Sequence, residues 1–318
     1  MSIFKLDPAF KDYIWGGTRL RDEYGKNCDY DKVAESWELS CHKDGPSVVA
    51  DGEYKGLTLN EYIEKAGKGV LGKNCERFEN FPILIKLIDA KDNLSVQVHP
   101  DNDYAMRVEG EYGKTEMWYV VDCDEGATLL YGFKHEITKE EFARRIADNT
   151  LLEVTNAVPV KKGDVFFIKS GTLHAIGKGI LIAEIQQNSN TTYRIYDYGR
   201  VGKDGKPREL HVDKALDVTK LAPAEQYPET PVEKKDGYDI KLLSKCEYFT
   251  TYRVNVETKA ELDADENSFN SILVLEGEPV ISGGETVSAK KGESVFISAG
   301  TGKYTVEGKC TFVLTKID

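Results

Sequence analysis

Gln97, His99, Glu116 and His174 are the residues of this chain best suited to hold a divalent metal ion. In Ser95-Val-Gln-Val-His99 polar and apolar residues alternate, so on a strand Gln97 and His99 project from one face while Val96 and Val98 project from the other. Glu116 opens the next apolar strand after a polar loop, and His174 follows a glycine turn at Gly171. Two imidazoles, a carboxylate and an amide oxygen suit a borderline divalent ion. With one carboxylate and three neutral ligands such a site keeps a net positive charge of about one, enough to act as a Lewis acid on a substrate oxygen. Taken singly the four are ordinary, since a lone histidine after a strand is more often a hydrogen-bonded core or surface residue. His42, His135 and His211 have no ligand-like spacing and read as structural or surface residues.

An internal repeat joins the four. Residues 161–174 read Lys-Lys-Gly-Asp-Val-Phe-Phe-Ile-Lys-Ser-Gly-Thr-Leu-His, and residues 290–303 read Lys-Lys-Gly-Glu-Ser-Val-Phe-Ile-Ser-Ala-Gly-Thr-Gly-Lys. Gly163 matches Gly292 and Gly171 matches Gly300, so each copy is a turn, a buried strand and a second turn. The second copy has Lys303 where the first has His174, as though one unit kept a site and the other kept only the fold.

The elements that must position these residues are short strands. Apolar runs such as Phe81-Pro-Ile-Leu-Ile-Lys-Leu-Ile88, Met117-Trp-Tyr-Val-Val121 and Ile272-Leu-Val-Leu275 are bounded by Gly, Asp or Asn, the pattern of a β-sandwich or barrel. Two helices stand out, each opened by a capping box: Thr58-Leu-Asn-Glu61, closed by Gly67, and Thr138-Lys-Glu-Glu141, with Phe142 and Ile146 on one face. The remainder reads as strand and loop. Leu221-Ala-Pro-Ala-Glu-Gln-Tyr-Pro-Glu-Thr-Pro-Val232 is proline-rich and aperiodic, which makes 221–232 the expected linker between a metal-binding unit, 1–220, and a unit without metal, 233–318.

Composition narrows the partners. The 318 residues carry a net charge of -12, which argues against a nucleic-acid backbone as ligand. No apolar run approaches the roughly 20 residues of a membrane span. Cys28, Cys41, Cys75, Cys123, Cys246 and Cys310 are scattered without a CxxC pair, and the start lacks a secretory apolar region. They read as reduced thiols of a cytoplasmic protein, acting as a monomer or weak homodimer.

Gly163-Asp-Val-Phe-Phe-Ile-Lys-Ser-Gly-Thr-Leu-His174 resembles the second cupin motif, with Lys169 where that motif often has proline. Gln97-Val-His-Pro-Asp101 looks like the variant first motif of the type I phosphomannose isomerase family. The likeness extends to Tyr13-Ile-Trp-Gly-Gly17, Glu35-Ser-Trp-Glu38, Lys114-Thr-Glu116, Leu173-His-Ala175 and the run from Ala183 to Arg194. It implies a mainly β fold of two cupin-type jelly-roll barrels, in the short bacterial form without the large inserted helical domain. It also implies one zinc ion on Gln97, His99, Glu116 and His174, and conversion of mannose 6-phosphate to fructose 6-phosphate through a cis-enediol. Arg194 matches the family's catalytic arginine, and Lys86, Ser95, Lys114 and Glu184 match residues lining the sugar-phosphate pocket. Arg200 falls where longer relatives have lysine, and Ile176 where some have tyrosine.

That chemistry needs a base. Glu184 is the first candidate, with Lys114 or a metal-bound hydroxide as alternatives, and Arg194 suits either enediolate stabilisation or phosphate binding. An acidic protein that takes a sugar phosphate must gather cations locally, and Lys86, Lys114, Arg194 and Arg200 are expected to do so. Two rivals use the same ligands. An iron dioxygenase would favour a histidine-rich set, against which Gln97 argues. A non-catalytic, sugar-binding or regulatory double cupin would not need Lys114, Glu184 and Arg194 around its metal.

Overall fold

The strand Ile83–Ala90 is buried at every position, and so is Ile180–Gln187. Runs this continuously buried belong to a sheet covered on both faces. In the computed structural model, which describes residues 2–202 and 205–318, the two lie side by side in a six-stranded antiparallel sheet. Its order is Val165–Ile168, Glu116–Cys123, Ile180–Gln187, Ile83–Ala90, Glu35–Leu39, Ala9–Lys11. One face packs on a five-stranded sheet ordered Tyr193–Tyr196, Val96–Val98, His174–Ala175, Thr128–Phe133, Thr155–Pro159. Ile88, Trp118 and Ile182 from the first sheet meet Leu129 and Tyr131 from the second in the core of this barrel.

The second barrel pairs an eight-stranded sheet with a four-stranded one, around Val254, Ile272, Val274, Ile281, Val306 and Phe312. The architecture is thus mainly β, two cupin-type jelly rolls, as the strand pattern and the motif imply. The repeat falls on equivalent places, because Gly163 and Gly171 have φ of 90° and 84°, and Gly292 and Gly300 have φ of 88° and 77°. A side chain at Gly171 would be strained in that left-handed region and would also meet the Val218 carbonyl at 2.8 Å.

The barrels share a core. Leu39, Ile85, Leu87, Met117 and Ile185 cover the outer face of the six-stranded sheet, and they pack with Phe249, Phe269, Phe296 and Val313 of the second barrel. The strand Ile3–Asp7 pairs with Ser294–Ile297, so backbone hydrogen bonding crosses the division expected at 221–232. The 221–232 segment itself lies against the first barrel, where Pro223 bridges Gly132 and Tyr131 donates its hydroxyl to the Glu225 carbonyl.

Both expected helices form, as Leu59–Ala66 with a complete Thr58–Glu61 capping box and as Lys139–Ala147 capped by Thr138. Three further helices, Arg19–Tyr24, Asn102–Val108 and Val212–Val218, occupy sequence that reads as strand or loop. Each is six or seven residues long, too short to print a periodicity of its own. Phe296 stacks on Phe4 and Phe269 at 5.4 and 5.2 Å and meets Tyr62 edge-on, tying the N-terminal strand to the second barrel. Phe296→Ala should therefore destabilise the whole chain by about 3–5 kcal/mol, seen as a lower urea midpoint.

Candidate active site and metal centre

Strand register assembles the site. In the five-stranded sheet Arg194 lies opposite Gln97, and Gln97 lies opposite His174. Residues directly across a ladder share a face, so these three side chains form one row. His99 is two residues further along the same strand face, and its carbonyl accepts the Gly171 N–H at 2.8 Å, which fixes the turn before His174. From the facing sheet come Trp37, Lys86, Glu184 and Trp118, one row across four strands, with Glu116 two residues from Trp118.

The two rows converge on His99, Glu116 and His174, whose ligating atoms all lie within 4.8 Å of one another. His99 Nδ1 lies 2.9 Å from the Thr191 carbonyl and His174 Nδ1 lies 2.8 Å from the Thr172 carbonyl. A carbonyl only accepts, so each Nδ1 carries the proton and each Nε2 presents a bare lone pair. Those two lone pairs face each other at 3.1 Å with no proton between them, and Lys114 Nζ approaches the His99 one at 3.3 Å. Burial holds both imidazoles neutral, pushing His174 down to about 4 and His99 well below its ordinary value, helped by the Lys114 charge.

Glu116 completes the set, with Oε1 3.3 Å from His174 Nε2 and Oε2 3.7 Å from His99 Nε2. Both its oxygens are buried without a hydrogen-bond donor. Lys114 Nζ comes within 2.7 Å of Oε2, but its approach is out of line for a hydrogen bond. Burial, then the charge of Glu184, pushes the Glu116 carboxyl up to about 7. Two unprotonated nitrogens and a carboxylate whose one close cation is Lys114 could hold a divalent ion, and the residues present fit one.

Beside that centre, reached through Gln97 and Lys114 rather than lined by the three residues themselves, lies a cavity of about 250 Å³. Lys86, Ser95, Gln97, Lys114, Glu184 and Arg194 all line it, so the structure brings together six of the residues expected from sequence. Lys86 Nζ sits 3.4 Å from Glu184 Oε1 and 3.5 Å from Glu35 Oε2, and Trp118 Nε1 donates to Glu184 Oε2 at 2.9 Å. Burial opposes ionisation of Glu184, yet Lys114, Lys86 and the Trp118 N–H outweigh it and hold the carboxyl below its ordinary value. Among the described residues here, Lys86 and Lys114 answer Glu35, Glu116 and Glu184, which leaves one negative charge for a bound cation. Burial, and next the charge of Arg208, lowers the pKa of Arg194.

Arg200 is not in the cavity wall. It bonds Asp197 and the Asn93 carbonyl, each at 2.5 Å. Ile176 does line the cavity, among the apolar wall residues. Lys303, the counterpart of His174, is exposed on its strand, and Tyr304 beside it fills the second barrel's interior, with its hydroxyl 2.9 Å from Asn270 Nδ2. Tyr13, Trp15, Glu35, Asn190 and Arg208 also line the cavity without having been singled out as site residues. Tyr13, Trp15 and Glu35 lie inside the sequence patterns that carry the resemblance, whereas Arg208 has no spacing signal.

Residues 3–126 match the model described as phosphomannose isomerase type I, catalytic domain, and residues 239–317 match that of the mannose-6-phosphate isomerase cupin domain. The mannose-6-phosphate isomerase ManA of Bacillus subtilis is 39% identical over 98% of this chain and 97% of its own. The chain belongs to the type I phosphomannose isomerase family. The mannose-6-phosphate isomerase of Streptococcus mutans is 40% identical, with 89% of this chain and 88% of its own covered. A crystal structure of the Bacillus subtilis mannose 6-phosphate isomerase superposes with a TM-score of 0.93 at 38% identity, covering 99% of both chains.

One further group holds this centre in the type I fold. Glu111 accepts from Asn190 N at 3.1 Å and Thr191 Oγ1 at 2.8 Å, and it pairs with His42 Nε2 at 2.9 Å. It thereby pins the loop whose Thr191 carbonyl orients His99. Despite burial, these donors hold the Glu111 carboxyl down at about 2. Glu111→Gln should weaken metal affinity about tenfold by equilibrium titration. Because the native carboxyl is depressed from 4.5, the stability it contributes should be full above about pH 4.5 and vanish as the pH falls toward 2.

Proposed function

We propose that this chain interconverts mannose 6-phosphate and fructose 6-phosphate, with one zinc ion held by Gln97, His99, Glu116 and His174. The observation that carries this reading is the convergence of two unprotonated imidazole nitrogens and the Glu116 carboxylate within 4.8 Å of one another, next to a cavity whose other end is arginine-rich. Zinc bound there supplies a Lewis acid that polarises the substrate carbonyl and steadies the enediolate.

The chain's own residues do the rest. Glu184 is ionised, lines the cavity and is fixed by Trp118, so it takes the proton from C2 of the aldose and returns it to C1. Lys86 and Lys114 hold that carboxylate in place and keep positive charge beside the oxygens on which the enediolate forms. Ser95 offers a hydroxyl to the sugar, and Arg194 reaches the far end of the bound substrate, where the phosphate lies. Trp15, Ile88, Leu94 and Ile176 supply the apolar wall that limits water around the reacting carbons.

No helix of the described residues is long and apolar enough to cross a membrane. All six cysteines are unpaired, which supports a reducing, cytoplasmic setting. Exposed large apolar residues such as Tyr30, Met106 and Val280 are scattered, in keeping with a monomer or weak homodimer.

A coupled isomerase assay on the purified chain tests the reading. Activity on mannose 6-phosphate should disappear with chelator and return with zinc, whereas full activity in metal-free protein would exclude it. Glu184→Gln should lower kcat about 10²- to 10⁴-fold with metal content unchanged. An undiminished kcat would move the base to Lys114.

A further inference from the structure

The arginine-rich end of the cavity holds more positive charge than its surroundings neutralise. Arg194 and Arg208 both line it, and Arg200 lies just behind. Among the described residues one buried carboxylate, Asp197, pairs with this group. Asp197 accepts from Arg208 Nε at 2.7 Å and from Arg208 Nη2 at 2.5 Å, a two-point grip, and from Arg200 Nη2 at 2.5 Å. The exposed Glu209 places its backbone carbonyl 2.9 Å from Arg194 Nη1, and its carboxylate acts on Arg194 only from the solvent side. Arg194 Nε is buried and has no hydrogen-bond partner among the described residues. Counting buried carboxylates among the described residues, three guanidinium groups against one leave an excess of two positive charges, the complement of a phosphate monoester dianion, with the exposed Glu209 screened by solvent.

The placement of Arg208 is built in. An antiparallel bridge between Val201 and Pro207 folds the chain back so that Arg200 and Arg208 flank it and reach the same aspartate. The following residues lock onto the Arg194 strand, because His211 N donates to the Arg194 carbonyl and Arg194 N donates to His211 Nδ1. Arg194 stands two strands from His174 in the same row, about 10 Å at ordinary strand spacing. A six-carbon phosphate ester can bridge that gap, its phosphate at the arginines and its carbonyl end at the histidines.

We propose that Arg208, gripped by Asp197, is the second arginine of the phosphate seat and sets the preference for phosphorylated over free sugar. Arg200 acts here through Asp197, since its hydrogen bonds go to Asp197 and the Asn93 carbonyl. The inference rests on the isomerase reading above for the identity of the phosphate ester.

Steady-state kinetics of the zinc-loaded enzyme and of Arg208→Ala and Arg208→Lys test it, with inorganic phosphate as a competing ligand. In Arg208→Ala, KM for mannose 6-phosphate and the inhibition constant of inorganic phosphate should both rise about 10- to 100-fold, while kcat changes less than threefold. Arg208→Lys, which keeps the charge but loses the fork, should fall between. Zinc content should be unchanged in both. Wild-type KM and phosphate inhibition in Arg208→Ala would overturn the proposal, as would a loss confined to kcat. Calorimetric titration with inorganic phosphate separates this from the isomerase reading: an inactive wild type that binds phosphate, and loses it in Arg208→Ala, would sink the reaction but keep the seat.

Discussion

Two imidazole nitrogens with no proton between them lie 3.1 Å apart beside a carboxylate, with the Lys114 ammonium as their one neighbouring cation among the described residues, and much of the first barrel is arranged around that cluster. The arrangement originates one atom away, at Nδ1. Because the Thr172 and Thr191 carbonyls can only accept, they settle the tautomer of both rings and aim the lone pairs inward. Burial then keeps the rings neutral. Burying a carboxylate costs several kcal/mol even beside Lys114, so Glu116 is poorly explained as a stabilising residue and better explained as a candidate ligand.

The same electrostatic logic divides the cavity. Among the described residues, carboxylates outnumber lysines by one at its inner end, and at and behind its far end guanidinium groups outnumber the buried carboxylate by two. A chain of net charge -12 can therefore bind an anion, because the positive excess is local and walled by the barrel. The price in packing falls on the six-stranded sheet, whose strands are buried on both faces and must carry Lys86 and Glu184 among isoleucines and leucines. Their mutual approach at 3.4 Å, with Glu35 and the two tryptophan N–H groups, is what makes that tolerable.

How much of this was legible in the sequence depends on the distance scale of each feature. The alternation around Gln97 and His99 is local, so the strand and its inward face could be read directly. The repeat placed His174 on an equivalent turn, and the positive φ angles of Gly171 and Gly300 are the reason both glycines recur. Lys86, Lys114, Glu184 and Arg194 were reached through the family resemblance, and the cavity gathers them. Arg208 was not reached, because its place depends on a chain reversal bridged at Val201 and Pro207 and on a shared aspartate, neither of which has a periodic signature. Arg200, nearer to the recognised pattern, attracted the assignment instead. The three unexpected helices and the pairing of Ile3–Asp7 with the distant Ser294–Ile297 escaped for related reasons, brevity in one case and long-range registry in the other.

The central claim is that the convergent donors form one cation site and that the second barrel, with Tyr304 in its interior, forms none. Cobalt(II) titration of the metal-stripped chain, followed by visible absorption, tests it most directly. The account predicts saturation at one equivalent per chain and loss of the signal in Glu116→Ala. Two equivalents, or a full signal in Glu116→Ala, would contradict it.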